Sequence, residues 1–296
     1  MLTEEFIISV YCLVDDTMKN ITENQKPRQR GPSPELADSE TITILIVGEC
    51  LGLNGDKAIH RYFSEHWRHF FPKIPGRPSF VKQCANLWGF IIRIWERVKG
   101  SIVSGTFRLV DGIPMSVCKT TRVNSSKLFK GIASWGYCAA KDEKYYGLKL
   151  HLSVDETGII SGAAVTAANA DEREAMLDFS GDLSGKKVIG DKGYICSGEK
   201  RSAIESSGAD LVTPFRKNMV DTRPRLLVKT AMRMRRIIET VGSQLAGRFN
   251  ISKVIARDLW HLSVRIYRKI LAHTVCCFIL RSNGFYDLDF DSILST

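Results

Sequence analysis

Tyr145-Tyr146-Gly147-Leu148-Lys149-Leu150-His151-Leu152-Ser153-Val154, then the turn Asp155-Glu156-Thr157-Gly158 and the apolar run Ile159 to Thr166, is the stretch that decides the fold. Its leucines alternate with Lys149 and His151, the period of a strand with two unlike faces. A turn ending in glycine between two such runs marks a hairpin. Phe107 to Val117 reads as a strand ahead of this hairpin. Behind it, Glu172 to Phe179 reads as a helix, Lys187 to Gly190 as a short buried strand, Glu199 to Ser206 as a helix and Asp210 to Thr213 as a fifth strand. A long helical stretch follows from about Leu226.

Three strands, then helix, strand, helix, strand, helix, is the element order of an RNase H-like α/β fold, a mixed sheet flanked by helices. Residues 1 to 100 read instead as an all-helical domain, with helices at Glu5–Lys19, Ser39–Gly52, Lys57–Trp67 and Ser79–Val98. Asn24 to Pro34, with three prolines and three basic residues, is a connector. Ser79, after Gly76-Arg77-Pro78, is the expected N-cap of the fourth helix. Arg77, Lys82, Gln83 and Asn86 near that helix start suit a helix-turn-helix reader of DNA ends, and a plain helical bundle or dimerisation piece is the alternative. The expected division is a helical domain over 1–100, an RNase H-like catalytic domain over 101–285 and a tail over 286–296.

The chain has 296 residues, a net charge of +10 and a pI near 9.2, so a polyanionic partner is favoured. From Arg216 to Arg281 there are fifteen Lys or Arg against three acids, which concentrates the excess in the C-terminal third. The eight cysteines form no CxxC pair and no Cys/His spacing suited to zinc. The sequence shows no secretory signal, and its most apolar run, Ile270 to Leu280, is too short to span a bilayer. A cytoplasmic, nucleoid-associated protein is expected.

Three acids stand out of apolar or basic runs: Asp111 in Arg108-Leu109-Val110-Asp111-Gly112, Asp191 in Val188-Ile189-Gly190-Asp191-Lys192-Gly193-Tyr194, and Glu239 in Arg235-Arg236-Ile237-Ile238-Glu239-Thr240. Two carboxylates at strand ends and one on a helix suit a pair of hard divalent cations, which take oxygen ligands and clamp the attacking and leaving oxygens of a phosphoryl transfer. On the helix, Met234, Ile237, Ile238, Val241 and Leu245 form the buried stripe, and Arg235, Arg236, Glu239 and Ser243 share a flanking face. Lys149 and His151 on the neighbouring strand are candidates to hold a phosphate or a carboxylate. Trp135, Trp260 and Tyr267 are candidates to stack on splayed bases. Taken singly, each acid has a plainer reading as a turn residue or a helix-face ion pair.

Val110-Asp111-Gly112-Ile113-Pro114 with Cys118-Lys119 and Arg122, the Tyr146–His151 strand, Asp191-Lys192-Gly193-Tyr194 and Glu239-Thr240-Val241-Gly242-Ser243-Gln244-Leu245 together resemble bacterial insertion-sequence transposases of the DDE class. The chain looks closest to the IS-nine-eighty-two group of the IS-four-like superfamily. The tail Ala256-Arg257-Asp258-Leu259-Trp260 and Arg265 to His273 also looks like that group. The superfamily's helix signature has a Tyr seven residues before the Glu, an Arg four before and a Lys seven after; here those places hold Met232, Arg235 and Ala246, so only the Arg matches. The resemblance implies that Asp111, Asp191 and Glu239 bind two Mg²⁺, with Mn²⁺ able to substitute, and cut double-stranded DNA at terminal inverted repeats before joining the 3′-OH to target DNA. Lys149, His151, Lys192, Arg235, Arg236, Arg248 and Lys253 are the expected phosphate contacts, and a homodimer on DNA is expected. A nuclease of the same fold without strand transfer, or a domesticated DNA-binding protein, is the alternative.

Overall fold

The structure, a computed structural model, describes residues 3–23, 33–138, 142–195, 197–214, 223–254 and 256–294, with the side chain of Leu227 left aside. Most of the connector, residues 24–32, and the start of the basic stretch, residues 216–222, lie outside the described residues. In chain order the elements begin with α1 (Thr3–Thr22), α2 (Asp38–Cys50), α3 (Asp56–His66), α4 (Arg77–Asn86) and α5 (Trp88–Ile102). Strands β1 (Phe107–Ser116), β2 (Ser134–Cys138), β3 (Glu143–Asp155) and β4 (Ile160–Ala167) follow. Then come α6 (Glu172–Ala175), α7 (Ser180–Leu183), β5 (Lys187–Ile189), α8 (Gly198–Ser206), β6 (Asp210–Val212), α9 (Arg225–Gly247), α10 (Leu259–Ser282) and α11 (Asp291–Leu294). Two compact units divide the chain: Met1–Ile102 with Leu245–Thr296, and Val103–Gln244. The sequence reading groups α10 with the sheet; by contacts it clusters with the first hundred residues.

Unit Val103–Gln244 is built on one mixed sheet. β1 runs antiparallel to β3 from Arg108↔Asp155 to Ser116↔Gly147, and parallel to β5 from Phe107↔Lys187 to Leu109↔Ile189. β6 adds a further parallel strand beside β5. Gly147 pairs with both Ser116 and Ser134, and Leu148 with both Met115 and Ala167, so β2 and β4 share the edge of β3 away from β1. β2 has no counterpart in the sequence reading. Its five residues, Ser134-Trp135-Gly136-Tyr137-Cys138, alternate between intermediate and exposed, so they lack the apolar face that marks a strand in sequence. One core of this unit joins Val110 and Val188 from the sheet with Met176, Phe179, Leu183, Tyr194 and Ile204.

Buried polar groups pin the β3–β4 turn. Asp155, fully buried, accepts from the backbone N–H of Ser104 at 3.0 Å, Thr157 at 2.9 Å and Ile159 at 3.0 Å. Asp182 on α7 accepts from Arg108 Nε at 3.1 Å and from the Ser153 and Ser161 hydroxyls at 2.8 and 2.6 Å. The Asp182 bonds tie α7 to β1, β3 and β4, and the Asp155 bonds fix the turn that sets the hairpin's register.

The helical unit is held by α2, which is buried on nearly every side and packs against α1 and α10. An apolar helix of that kind belongs in a core rather than on a surface. Two expectations for α4 are corrected. The helix starts at Arg77 with Gly76 as N-cap, not at Ser79, because Pro78 fits the first turn, where no N–H is needed. The single helix over Ser79–Val98 is two, α4 and α5, separated at Leu87. The long C-terminal stretch is likewise broken after Gly247: Asn250 adopts a left-handed φ of 51°, which ends a helix, and Asp258 caps α10 by accepting from the His261 N–H at 2.8 Å. No helix among the described residues is long and apolar enough to cross a membrane.

Two predictions follow from this burial. Asp155→Ala strands three backbone N–H groups and is expected to lower stability by about 3 kcal/mol or more in denaturant titration. Burial holds His273 in the helical unit down to about 3, and His151 on β3 down to about 4 with Lys149 adding to the fall, against an ordinary 6.5. The unfolded chain therefore takes up protons that the folded chain refuses, so stability is full above pH 6.5 and is lost as pH falls from 6.5 towards 4 and 3. Denaturant titration of wild type and His273→Phe at pH 7 and pH 5 is expected to show the variant losing about 2 kcal/mol less over that interval.

Candidate active site

The parallel pairing of β1 with β5 sets the geometry of the site. Leu109 and Ile189 are register partners, both buried, and Asp111 and Asp191 each lie two residues further along. Asp191 therefore leaves the sheet just past β5 beside Asp111, which sits within β1 rather than at the strand end its sequence suggests, although 80 residues separate the two acids. Asp111 is still in β1, opposite Leu152 of β3. Asp191 caps the short 3₁₀ turn Lys192–Tyr194. Each uses one oxygen locally: Asp111 Oδ1 accepts from the Gly112 N–H at 2.8 Å, and Asp191 Oδ1 from the Gly193 N–H at 2.7 Å. Neither Oδ2 has a hydrogen-bond or ion-pair partner among the described residues.

Glu172, which the sequence reading did not single out, joins them. Its Oε1 accepts from Lys149 Nζ at 2.9 Å. A Cβ placed on Gly193 would stand 2.2 Å from Glu172 Oε2 and 2.9 Å from Asp191 Oδ1, and one on Gly112 would stand 3.0 Å from Lys149 Cδ. Glycine at these two positions is what lets the acids and the lysine approach the backbone. Glu172 is in turn placed by Asp171, whose carboxylate binds Arg173 and Lys200 and lies well below the usual carboxylate range because of them. Arg173 also reaches the Ile195 carbonyl at 3.2 Å, tying α6 to the segment after Asp191.

Burial pushes the Asp111 carboxyl up to about 6; Asp191 and Glu172 add to the rise, and the Gly112 N–H and Arg235 oppose it. Tyr194, buried beside the same three acids, has its hydroxyl raised well above its ordinary value, by burial first. That hydroxyl has no hydrogen-bond partner among the described residues. The site is a crowded set of like charges with two cations, Lys149 and Arg235, at its border.

The other expected residues fall into three groups. Glu239 is exposed on α9 and pairs with Arg235 Nη2 at 3.5 Å, so one guanidinium serves both Glu239 and, through its charge, Asp111. Lys192 and Arg236 are exposed in the same unit. His151 is fully buried beneath the site, with Nε2 2.8 Å from the Thr166 hydroxyl. Arg248 and Lys253 belong to the helical unit, where Arg248 bonds the Cys50 carbonyl at 3.3 Å and Asp291 at 2.9 Å. In that unit Arg77, Lys82 and Asn86 are exposed on α4, whereas Gln83 is buried and donates to the Leu36 carbonyl and to Asp38 Oδ1, each at 2.9 Å. Trp135 is half exposed with its ring edge-on to Tyr146, Trp260 donates to the Ala85 carbonyl beside Trp88, and Tyr267 lies against Trp95.

A divalent cation suits the donors present: two aspartates with free oxygens, mutually repelling and partly desolvated. No group of three or more His, Cys, Asp or Glu spaced to hold a metal ion occurs among the described residues. The mixed sheet flanked by helices, with acids brought together by adjacent strands, defines an α/β protein with an acidic site. Residues 102–258, just over half of the chain, match the family described as a transposase DDE domain, and the chain belongs to that family. No curated protein and no solved structure matches it.

Gly193→Ala tests the packing of this site. The added methyl meets only the movable ends of Glu172 and Asp191, so the melting temperature is expected to stay within about 3 °C of wild type, equivalent to about 1 kcal/mol or less in a chain of this size. DNA cleavage, measured on the same preparation, is expected to fall at least about tenfold, a loss of about 1.4 kcal/mol of transition-state stabilisation.

Proposed function

We propose that this chain is a DNA transposase of the RNase H-like DDE class, close to the IS-nine-eighty-two group, that cuts at the ends of an insertion element and joins the freed 3′-OH to target DNA. The observation that carries this reading is the register of β1 against β5, which aligns Asp111 with Asp191 on adjacent strands within a transposase-family domain. The strand order supports the RNase H-like part: an antiparallel group led by β1 and β3, extended by parallel β5 and β6.

Asp111, Asp191 and Glu239 would hold two Mg²⁺, with Mn²⁺ as substitute, through carboxylate oxygens. Bound there, such a pair supplies activation of water and stabilisation of the departing 3′ oxygen. The chain's own part is placement. Lys149, steadied by Glu172, and Lys192, Arg235 and Arg236 set the phosphates in line with the acids. His151 braces β3 against β4 through Thr166. Arg248 and Lys253, in the helical unit, contribute to DNA contact, and Arg77, Lys82 and Asn86 on α4 read the terminal repeats with Gln83 fixing that helix. Two ends must be brought together, so a homodimer forms on DNA.

Cleavage of a duplex carrying an element end, with Mg²⁺ present, tests the reading. Asp111→Asn, Asp191→Asn and Glu239→Gln are each expected to lower the rate by about a thousandfold, the scale of several kcal/mol of lost transition-state stabilisation. Wild-type rates for Glu239→Gln would remove it from the triad. Joining of a labelled 3′ end to a second DNA molecule separates a transposase from a nuclease of the same fold.

A further inference from the structure

The helical unit contains a cavity of about 360 Å³ that none of the proposed chemistry uses. It lies at the lower end of the ~300–1,000 Å³ range of small-ligand sites. Asn54, Gly55, Asp56 and Lys57 line one side, Arg77 and Val81 another, and Arg265, Arg268 and Lys269 of α10 also contribute. Beneath it is a buried ion network. Arg268, 1% exposed, donates to Glu49 Oε1 at 2.6 Å and to Asp56 Oδ1 at 2.6 Å. Lys269, 2% exposed, donates to Glu49 Oε2 at 2.5 Å, and Arg265 donates to Asp56 Oδ2 at 2.8 Å.

Three cations thus meet two carboxylates, and all four carboxylate oxygens are already engaged. Uncompensated charge in a buried network is costly. Lys57 and Arg77, exposed at the rim, add two more cations, and neither has a hydrogen-bond or ion-pair partner among the described residues. The lining also includes the N-cap and first turn of α3 and the first residue of α4, so two helix N-termini add their partial positive charge. Five cations against two acids, around a cavity, lack a matching anion.

We propose that this cavity binds a phosphate group, with Lys57 and Arg77 closing on it from the rim and Lys269 and Arg265 supplying donors from the floor. The fork of Arg77 suits two phosphate oxygens at once, and Lys57 acts as a point charge. The phosphate is either one in a DNA backbone, which would make the cavity an anchor that orients the helical unit on the duplex, or a free phosphate.

The test uses the full-length protein and Lys57→Met, an exposed position outside both the buried network and the residues proposed to read DNA ends. Inorganic phosphate is titrated by calorimetry at constant ionic strength against a chloride control, and binding of a duplex is measured across salt concentrations. Saturable phosphate binding by wild type that the variant weakens at least about tenfold is the expected result. With a backbone phosphate, the variant also binds duplex about threefold more weakly, and the slope of log affinity against log salt falls by about 1. Phosphate binding weakened in this way with unchanged duplex affinity assigns the cavity to a free phosphate. Absence of saturable phosphate binding by wild type, or equal binding by both proteins, overturns the proposal. The phosphate arm involves no strand cleavage, so its failure leaves the catalytic reading standing, and an inactive acid site leaves the cavity standing.

Discussion

Strand β1 is paired along both edges, antiparallel to β3 over nine register positions and parallel to β5 over three. Everything in the acidic site is referred to that strand. Because side chains alternate along a strand, slipping either pairing by one residue would turn Asp111 away from Asp191 or set Lys149 out of place. The register is defended from below by burial: Leu109, Val110, Val188, Ile189, Leu150 and Leu152 all lie in the core, and moving any set of them to solvent would expose several apolar side chains at once. The Asp155 and Asp182 hydrogen bonds fix the same register from the turn end.

The acids pull against this frame. Burial of Asp111, with repulsion from Asp191 and Glu172 adding to it, is why its carboxyl sits at about 6 rather than at its ordinary 3.8. Lys149 and Arg235 offset only part of that repulsion. A site of this kind stores unfavourable electrostatics that a bound cation would relieve, and the fold holds it in place through Asp171, Arg173 and two glycines rather than through contacts among the acids themselves. The helical unit shows the opposite imbalance, with surplus cations around Glu49 and Asp56. The chain thus carries two charge-incomplete regions of opposite sign.

Much of this was legible in residue order. The 2-residue period of Tyr145–Val154, the run before Asp111, the runs Ile159–Thr166 and Asp210–Thr213 and the apolar 188–189 pair placed five of the six strands closely, because each carries buried apolar residues. The stripe Met234, Ile237, Ile238, Val241 and Leu245 placed the helix carrying Glu239; the last three are buried, and Met234 and Ile237 are partly exposed. β2 escaped because it has no buried apolar face to mark it as a strand. The break at Leu87 escaped because buried residues continue across it at helical spacing, from Cys84 through Leu87 to Ile91. Gln83 looked like a base reader because its helix is basic, yet it is buried against Leu36 and Asp38. Glu172 carried no signal at all: within Asp171-Glu172-Arg173-Glu174 nothing distinguishes the one acid whose side chain turns to the aspartates.

Residue order alone fixed most of the strands and helices, the excess of positive charge, and that Asp111 and Asp191 stand at the ends of apolar runs. These are local properties, set by periodicity and by where a polar residue interrupts it. Only the tertiary structure decided that Leu109 pairs with Ile189, that Glu172 and Arg235 complete the surroundings of Asp111, and that Lys57, Arg77 and α10 surround one cavity. Those are consequences of register and packing between segments dozens to hundreds of residues apart, and no local pattern encodes the distance between them.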